Sequence, residues 1–294
     1  MLNESIPANN VIEELDGTGT LVWRQPPPPM SPNAPAAQWQ ALAADGLGGV
    51  YGIGDVIFPL FDFGCGPTSG QYITRFDASG KCAWSQAYPS GLGFNTAELL
   101  AAPTEEVYVV ATFQGTVDAF GCGPVTSASG TSSLVAKLDT SGACLWSRSF
   151  ATASLDVRVF PGSGDLLLST NYAGTIDLGG GPITSVGKQD LAVGHLSAAG
   201  TLLWSRSFGG PGATVSWSDA SADALGGVAE VVGVTGTVDF GGGPFNGNGV
   251  LFKLGSSGAF RWQLAPYSGV IASDPSGAVL ASDDTHGTVM KLAP

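Results

Sequence analysis

Charged side chains are scarce in this chain of 294 residues, where Asp, Glu, Lys and Arg together make up 12%, about half the usual share. Basic residues are the scarcest: 11 Lys and Arg face 24 Asp and Glu, so the formal net charge is −13. This charge repels a phosphate backbone and no Lys/Arg cluster offsets it, which excludes nucleic acid as an expected partner. The chain has no apolar run of about 18 residues, so we expect no membrane span.

Groups that carry catalysis or bind metals are also sparse. His195 and His286 are the only histidines, and no His, Cys and Asp cluster has the spacing of a zinc site. His195 takes a strand position that related segments fill with a charged residue, so we expect it to face solvent. No G-x-S-x-G sequence is present. We therefore predict no catalytic residue, no cofactor and no bound metal.

What the chain does have is an internal repeat of about 60 residues, a period that indicates a propeller or a solenoid array. The clearest marker segment, residues 137–147, reads KLDTSGACLWS. Because its tryptophan recurs at one strand position, we expect the marker tryptophans to pack between repeats rather than to bind a ligand. They are Trp23, Trp84, Trp146, Trp204 and Trp262.

Each repeat contains two strand pairs. The first is exemplified by residues 41–52, and the second is the marker segment, whose D-x-S-G turn requires glycine in the left-handed region. Between them lies a third signature, here called the excursion, which reads GTVDAFGCGP at 115–124. Four strands per repeat, with alternating apolar and small residues and no helical pattern, predict an all-β propeller of four-stranded antiparallel blades.

We predict a single propeller domain over residues 1–294 with about five blades. The last repeat lacks its outer strand, and the N-terminal segment 10–24 holds an unmatched marker hairpin. We expect Thr20–Arg24 to complete the last blade and close the ring, which removes an exposed sheet edge. The predicted repeat units are 25–86, 87–149, 150–207, 208–265 and 266–294.

Two segments, GTVDFGGG at 236–243 and the K-L-D-x-S-G-x-x-L-W-S marker, resemble the bacterial SBBP family of β-propeller repeats. Members of that family occur in many secreted or surface proteins, and the resemblance covers nearly the whole chain. It implies a propeller fold and no particular reaction. Because family members often carry more repeats, this chain is either a complete propeller or a fragment of a larger array.

Each excursion carries one aspartate, which either caps its own turn or contributes to a calcium site. A calcium loop gathers several oxygen ligands in a short stretch, whereas apolar residues and Thr flank these carboxylates. We therefore predict side-chain caps. The residues are Asp62, Asp118, Asp177 and Asp239.

Trp39 and Trp217 do not follow the repeat. We place both in linkers between blades, beside Pro-rich or Gly-rich sequence. Binding residues concentrate in loops held on a rigid scaffold, so these two are the candidate ligand contacts. Ordinary loop packing is the alternative.

The four cysteines are distributed in pairs over two repeats. The repeats with Cys65 and Cys122 in the excursion are the ones that have Cys82 and Cys144 two residues before the marker tryptophan. The other excursions have glycines, and their marker positions are Leu202 and Phe260. We predict the disulfides Cys65–Cys82 and Cys122–Cys144, with four free thiols or pairing between like positions as alternatives.

Disulfides persist in oxidising compartments, so we expect an exported protein, although residues 1–10 show no signal-peptide pattern. The predicted function is a non-catalytic extracellular or cell-surface binding scaffold for a protein or glycan ligand, monomeric unless part of a larger array. The alternatives are a purely structural array or a hydrolase or lyase with a pocket in the central funnel. Clustered carboxylates with basic or aromatic neighbours would support the enzyme.

Overall fold

The computed structural model describes residues 12–25, 37–128, 130–283 and 288–294. In these ranges the regular structure is β-strand, apart from a 3-10 turn at Phe94–Thr96. The chain divides into two compact units, residues 1–149 and 150–294. No helix in the described ranges is long and apolar enough to cross a membrane.

The first unit contains a hairpin and two four-stranded antiparallel sheets, called blades 1 and 2. The hairpin pairs β1 (Ile12–Leu15) with β2 (Leu21–Gln25). Blade 1 runs in the order β3-β4-β5-β6, with strands at Ala37–Ala44, Val50–Asp62, Pro67–Phe76 and Cys82–Ala87. Blade 2 has the excursion strands β9 (Thr116–Asp118) and β10 (Pro124–Thr126) in a small sheet of their own. Its order is β7-β8-β11-β12, with strands at Glu98–Ala101, Val107–Phe113, Ser132–Leu138 and Cys144–Phe150.

The second unit repeats this plan in blades 3, 4 and 5. Blade 3 runs β13-β14-β17-β18, at Asp156–Val159, Leu166–Tyr172, Asp190–Leu196 and Leu202–Phe208. Blade 4 runs β19-β20-β23-β24, at Thr214–Ala222, Val228–Thr235, Gly249–Leu254 and Phe260–Leu264. Blade 5 has three strands, β25 to β27, at Ile271–Ser273, Val279–Asp283 and Thr288–Leu292. The excursion hairpins are β15–β16 (Thr175–Asp177, Pro182–Thr184) and β21–β22 (Thr237–Asp239, Pro244–Asn246).

The predicted all-β fold is confirmed, because consecutive strands pair antiparallel as in propeller blades. The predicted closing strand has a different partner among the described residues: β2 pairs with β1, and blade 5 has three strands. The number of blades and the closure of a ring therefore stay predictions.

Two requirements keep glycine in the marker turns. Gly142 has φ +84°, and a Cβ added there would lie 3.0 Å from Cδ2 of Trp84 in the preceding blade. The indole of Trp84 also donates to the carbonyl of Thr140 at 2.8 Å. A marker tryptophan thus packs on the marker turn of the following sheet. The same contact joins Trp23 to Gly80 and Trp204 to Gly258.

Both predicted disulfides are present. Cys122 is joined to Cys144 and Cys65 to Cys82, with Cα–Cα distances of 5.4 Å and 5.6 Å. The bridges are possible because the excursion of blade 2 is a hairpin, and the turn at its tip reaches the start of strand β12.

Blades 3 and 4, which have no cysteine, fill the same space with an apolar side chain. A Cβ added to Gly180, which occupies the position of Cys122, would lie 2.6 Å from Cδ2 of Leu202. A Cβ on Gly242 would lie 2.5 Å from Cζ of Phe260. Disulfide and glycine–apolar contact are therefore alternative ways to hold the excursion against its blade.

A strand position that holds Arg, Lys or His recurs in every blade, and its side chain is paired with an acid from the first hairpin of that blade. The expectation that His195 faces solvent is wrong, because its side chain is buried. His195 is 5% exposed, stacks on Phe160 and lies 2.9 Å from Asp165. The other pairs are Arg75–Asp45, Lys137–Glu106, Lys253–Asp223 and Lys291–Asp274.

The acid of this pair occupies one of two places in the turn. In blade 1 Asp45 begins the turn, and Gly49 ends it, where any Cβ would collide with the carboxylate. In blade 2 Ala102 begins the turn, which frees the last position for Glu106. The recurring charges are thus explained by the fold.

Candidate functional site

Glu230 on β20 departs from the repeat. The residue three positions past the first hairpin turn is glycine or apolar in the other blades, whereas blade 4 has a glutamate that is 0% exposed. A buried carboxyl group needs hydrogen-bond partners or a proton, so this position calls for an explanation. The equivalent residues, matched by strand register, are Gly52, Val109, Leu168 and Ala281.

The carboxyl group of Glu230 links two blades. Its Oε1 lies 2.5 Å from the hydroxyl of Ser169 on β14 of blade 3, and its Oε2 accepts the indole N–H of Trp217 at 3.0 Å. Burial raises the pKa of Glu230 from 4.5 to about 8, the nearby Asp156 and Asp219 add to the increase, and the two hydrogen bonds oppose it. Glu230 is therefore mostly protonated at pH 7.

A second layer of charge surrounds this carboxyl group. Arg158 on β13 lies with Nη2 3.0 Å from Asp156 Oδ1 and 3.9 Å from Asp219 Oδ1. The Arg158 side chain is 39% exposed and is the open member of the group. Asp219 Oδ2 also accepts the backbone N–H of Ile271 at 2.8 Å, which connects the first strands of blades 4 and 5. The guanidinium thus bridges carboxylates from blades 3 and 4.

The placement of Trp39 and Trp217 in linkers is wrong, since both lie in first strands, each at a bulge. Trp217 is half-buried, and its backbone N–H donates to Asn171 Oδ1 at 2.8 Å. Trp39 packs instead on Phe63 and Tyr72, in an apolar part of the first unit. The structure brings Trp217 to the carboxyl group of Glu230.

The excursion aspartates cap their own turns, as expected. Asp62 Oδ1, for example, accepts the N–H groups of Gly64 at 2.7 Å and Gly66 at 2.9 Å. Asp177 and Asp239 accept the equivalent two N–H groups, and Asp118 accepts the N–H of Gly121 at 2.7 Å. In the part of the chain that the structure describes, no three His, Cys, Asp or Glu side chains could hold a metal ion together. His286 lies outside the described residues.

We call the group formed by Asp156, Arg158, Ser169, Trp217, Asp219 and Glu230 the Glu230 cluster. Of these residues the sequence pattern indicated only Trp217, because single acids also recur in the turns of the repeat. The available signal was the segment VAEVV at 228–232, an acid inside an apolar strand. The structure brings these carboxyl groups together with a basic and an aromatic neighbour. Side chains at this one place can therefore both accept and donate hydrogen bonds.

No family model and no curated protein matches the chain, so the SBBP resemblance has no such support. The solved structure of the Dos1 propeller is similar over 96% of this chain and 61% of its own length, with 9% identity and a TM-score of 0.39. The chain thus spans less than two thirds of that structure.

Proposed function

We propose that the protein is a non-catalytic binding scaffold of five blades closed into a ring, exported to the cell surface or outside the cell, and that its ligand binds at the Glu230 cluster. The observation that carries the proposal is the position of Trp217, which is half-buried and hydrogen-bonded to Glu230, the carboxyl group that Asp156 and Asp219 lie near. The two disulfides support an oxidising compartment.

A glycan suits this cluster better than an apolar ligand. Sugar hydroxyl groups donate to carboxylates such as Asp156 and Asp219 and accept from the guanidinium of Arg158. A tryptophan offers a large apolar face beside a polar tip. Glu230 is fully buried, so its part is to hold Trp217 and Ser169 in position from beneath.

Glycan-array screening, followed by calorimetric titration of the best ligand, tests the proposal. Arg158→Gln should weaken binding about tenfold or more, the loss of a charged hydrogen bond, whereas Arg148→Gln on β12 of blade 2 should change it less than about twofold. Equal affinities for both variants and the wild type would place the ligand elsewhere.

A hydrolase or lyase is the second candidate, favoured by the clustering of three carboxyl groups of which Glu230 is protonated at neutral pH. In that case Glu230→Gln should abolish turnover of the bound glycan and preserve its affinity. Absence of any product over prolonged incubation with the wild type leaves the binding function alone.

A further inference from the structure

The aspartate that begins a marker turn is held by three donors of its own turn. Asp77 Oδ1 accepts the N–H of Ser79 at 2.8 Å, the hydroxyl of Ser79 at 2.6 Å and the N–H of Lys81 at 3.1 Å. The Ser79 hydroxyl is the main cause of the lowered pKa of Asp77, so this donor set favours a charged carboxylate. Equivalent donors hold Asp16 and Asp139 in two other marker turns, and Asp274 in the first-hairpin turn of blade 5.

Blade 4 keeps this turn and lacks its carboxylate. Gly255 stands where the aspartate belongs, yet the backbone bonds are the same: Gly255 N–H donates to Ala259 O and Gly258 N–H to Gly255 O, both at 2.8 Å. Within the described residues, no protein group accepts from the N–H of Ser257, from its hydroxyl or from the N–H of Ala259, and both residues are exposed. These are the three donors that hold the carboxylate in the sister turns.

An arginine lies where the side chain of an aspartate would project from residue 255. A Cβ added to Gly255 would lie 2.6 Å from Nε of Arg261, so the guanidinium stands where an aspartate side chain would project. Across the described ranges, Arg261 makes no ion pair and no hydrogen bond. The donor groups of Ser257 and Ala259 and the guanidinium of Arg261 thus lie at one turn, which has no carboxylate of its own.

A cavity of about 250 Å³ adjoins this position and is lined by Gly255, Ser256 and Arg261. Its other cation, Lys253, is already engaged by Asp223 and by the carbonyl of Gly277, each at 2.6 Å. Arg261 is thus the cation left for a ligand, and the cavity has room for the body of a small one.

We propose that the marker turn of blade 4 is a binding site for the carboxylate of an external ligand, held by Ser257, Ala259 and Arg261. A carboxylate is favoured over phosphate because the same donor arrangement holds an aspartate carboxylate elsewhere in the chain. This site is separate from the Glu230 cluster and does not depend on it. The carboxylate belongs either to a uronic acid of a glycan or to an acidic protein side chain.

The test uses the variant Gly255→Asp, which returns the internal carboxylate to the turn. Backbone amide resonances of the ¹⁵N-labelled full chain are followed during titration with sodium acetate, sodium glucuronate and N-acetyl-aspartate amide, against sodium chloride at equal ionic strength. In the wild type the amides of Ser257 and Ala259 should shift saturably with carboxylates. In Gly255→Asp the affinity should fall about tenfold or more.

Ser197→Asp is the matched control, since it adds a carboxylate to the marker turn of blade 3, where the Ser197 hydroxyl already accepts the N–H of Thr201. It should bind acetate like the wild type. Arg261→Gln, which leaves the turn intact, should weaken binding and decides the matter if Gly255→Asp fails to fold. Unchanged saturation in the folded variants, or no saturable shift in the wild type, overturns the proposal. The tighter of glucuronate and the aspartate amide identifies the source of the carboxylate.

Discussion

Replacing Glu230 by glutamine should change how the stability of the protein depends on pH. The carboxyl group accepts the Trp217 indole N–H on Oε2 and the Ser169 hydroxyl on Oε1. A glutamine amide can keep the first bond with its oxygen and can meet the rotatable Ser169 hydroxyl with an N–H. Glu230→Gln therefore keeps the network and removes its titration. The variant isolates the cost of ionising Glu230 inside the protein.

The magnitude follows from the pKa. Glu230 has a folded pKa of about 8 against an ordinary 4.5, a gap that corresponds to about 5 kcal/mol. Because the folded pKa is the higher one, the unfolded chain loses this proton first as the pH rises. The stability contributed by the protonated group is complete below pH 4.5 and is lost as the pH rises through about 8.

Urea denaturation followed by tryptophan fluorescence, at pH values from about 4.5 to 9, measures the effect. The wild type should lose up to about 5 kcal/mol relative to Glu230→Gln across this range. Glu98→Gln removes an exposed carboxyl group from β7 and should keep the pH dependence of the wild type. Parallel curves for the wild type and Glu230→Gln would refute the reasoning.

Three further outcomes test the repeat. The double variant Gly242→Cys, Phe260→Cys should form a third disulfide, visible by non-reducing peptide mapping. Its free energy of unfolding should exceed that of the double serine variant by about 2–4 kcal/mol. Lys253→Met leaves Asp223 buried without its cation and should cost about 3–5 kcal/mol, whereas Lys291→Met, whose side chain is 61% exposed, should cost less than about 1 kcal/mol by thermal or urea unfolding. Gly142→Val places a β-branched residue at positive φ and should cost about 1–3 kcal/mol or more, well above the same change at the preceding serine; equal denaturation midpoints would contradict this.

The sequence by itself determined the strand plan and the cross-links. Strand alternation and turn residues act over a few positions. Their recurrence in each repeat therefore predicts four-stranded sheets and a positive φ at Gly142. The disulfides followed from covariation inside the chain, because Cys122 and Cys144 share one space that Gly180 and Leu202 fill elsewhere.

Only the tertiary structure decided which charges are buried and which polar groups meet. His195 looked solvent-facing because the strand pattern cannot show that an acid from another hairpin covers it. The partner of Glu230, Ser169, is 61 residues away and belongs to another blade. Trp217 reaches the same carboxyl group from a bulged strand. Such contacts depend on how neighbouring sheets pack, and no local pattern in one strand encodes that packing.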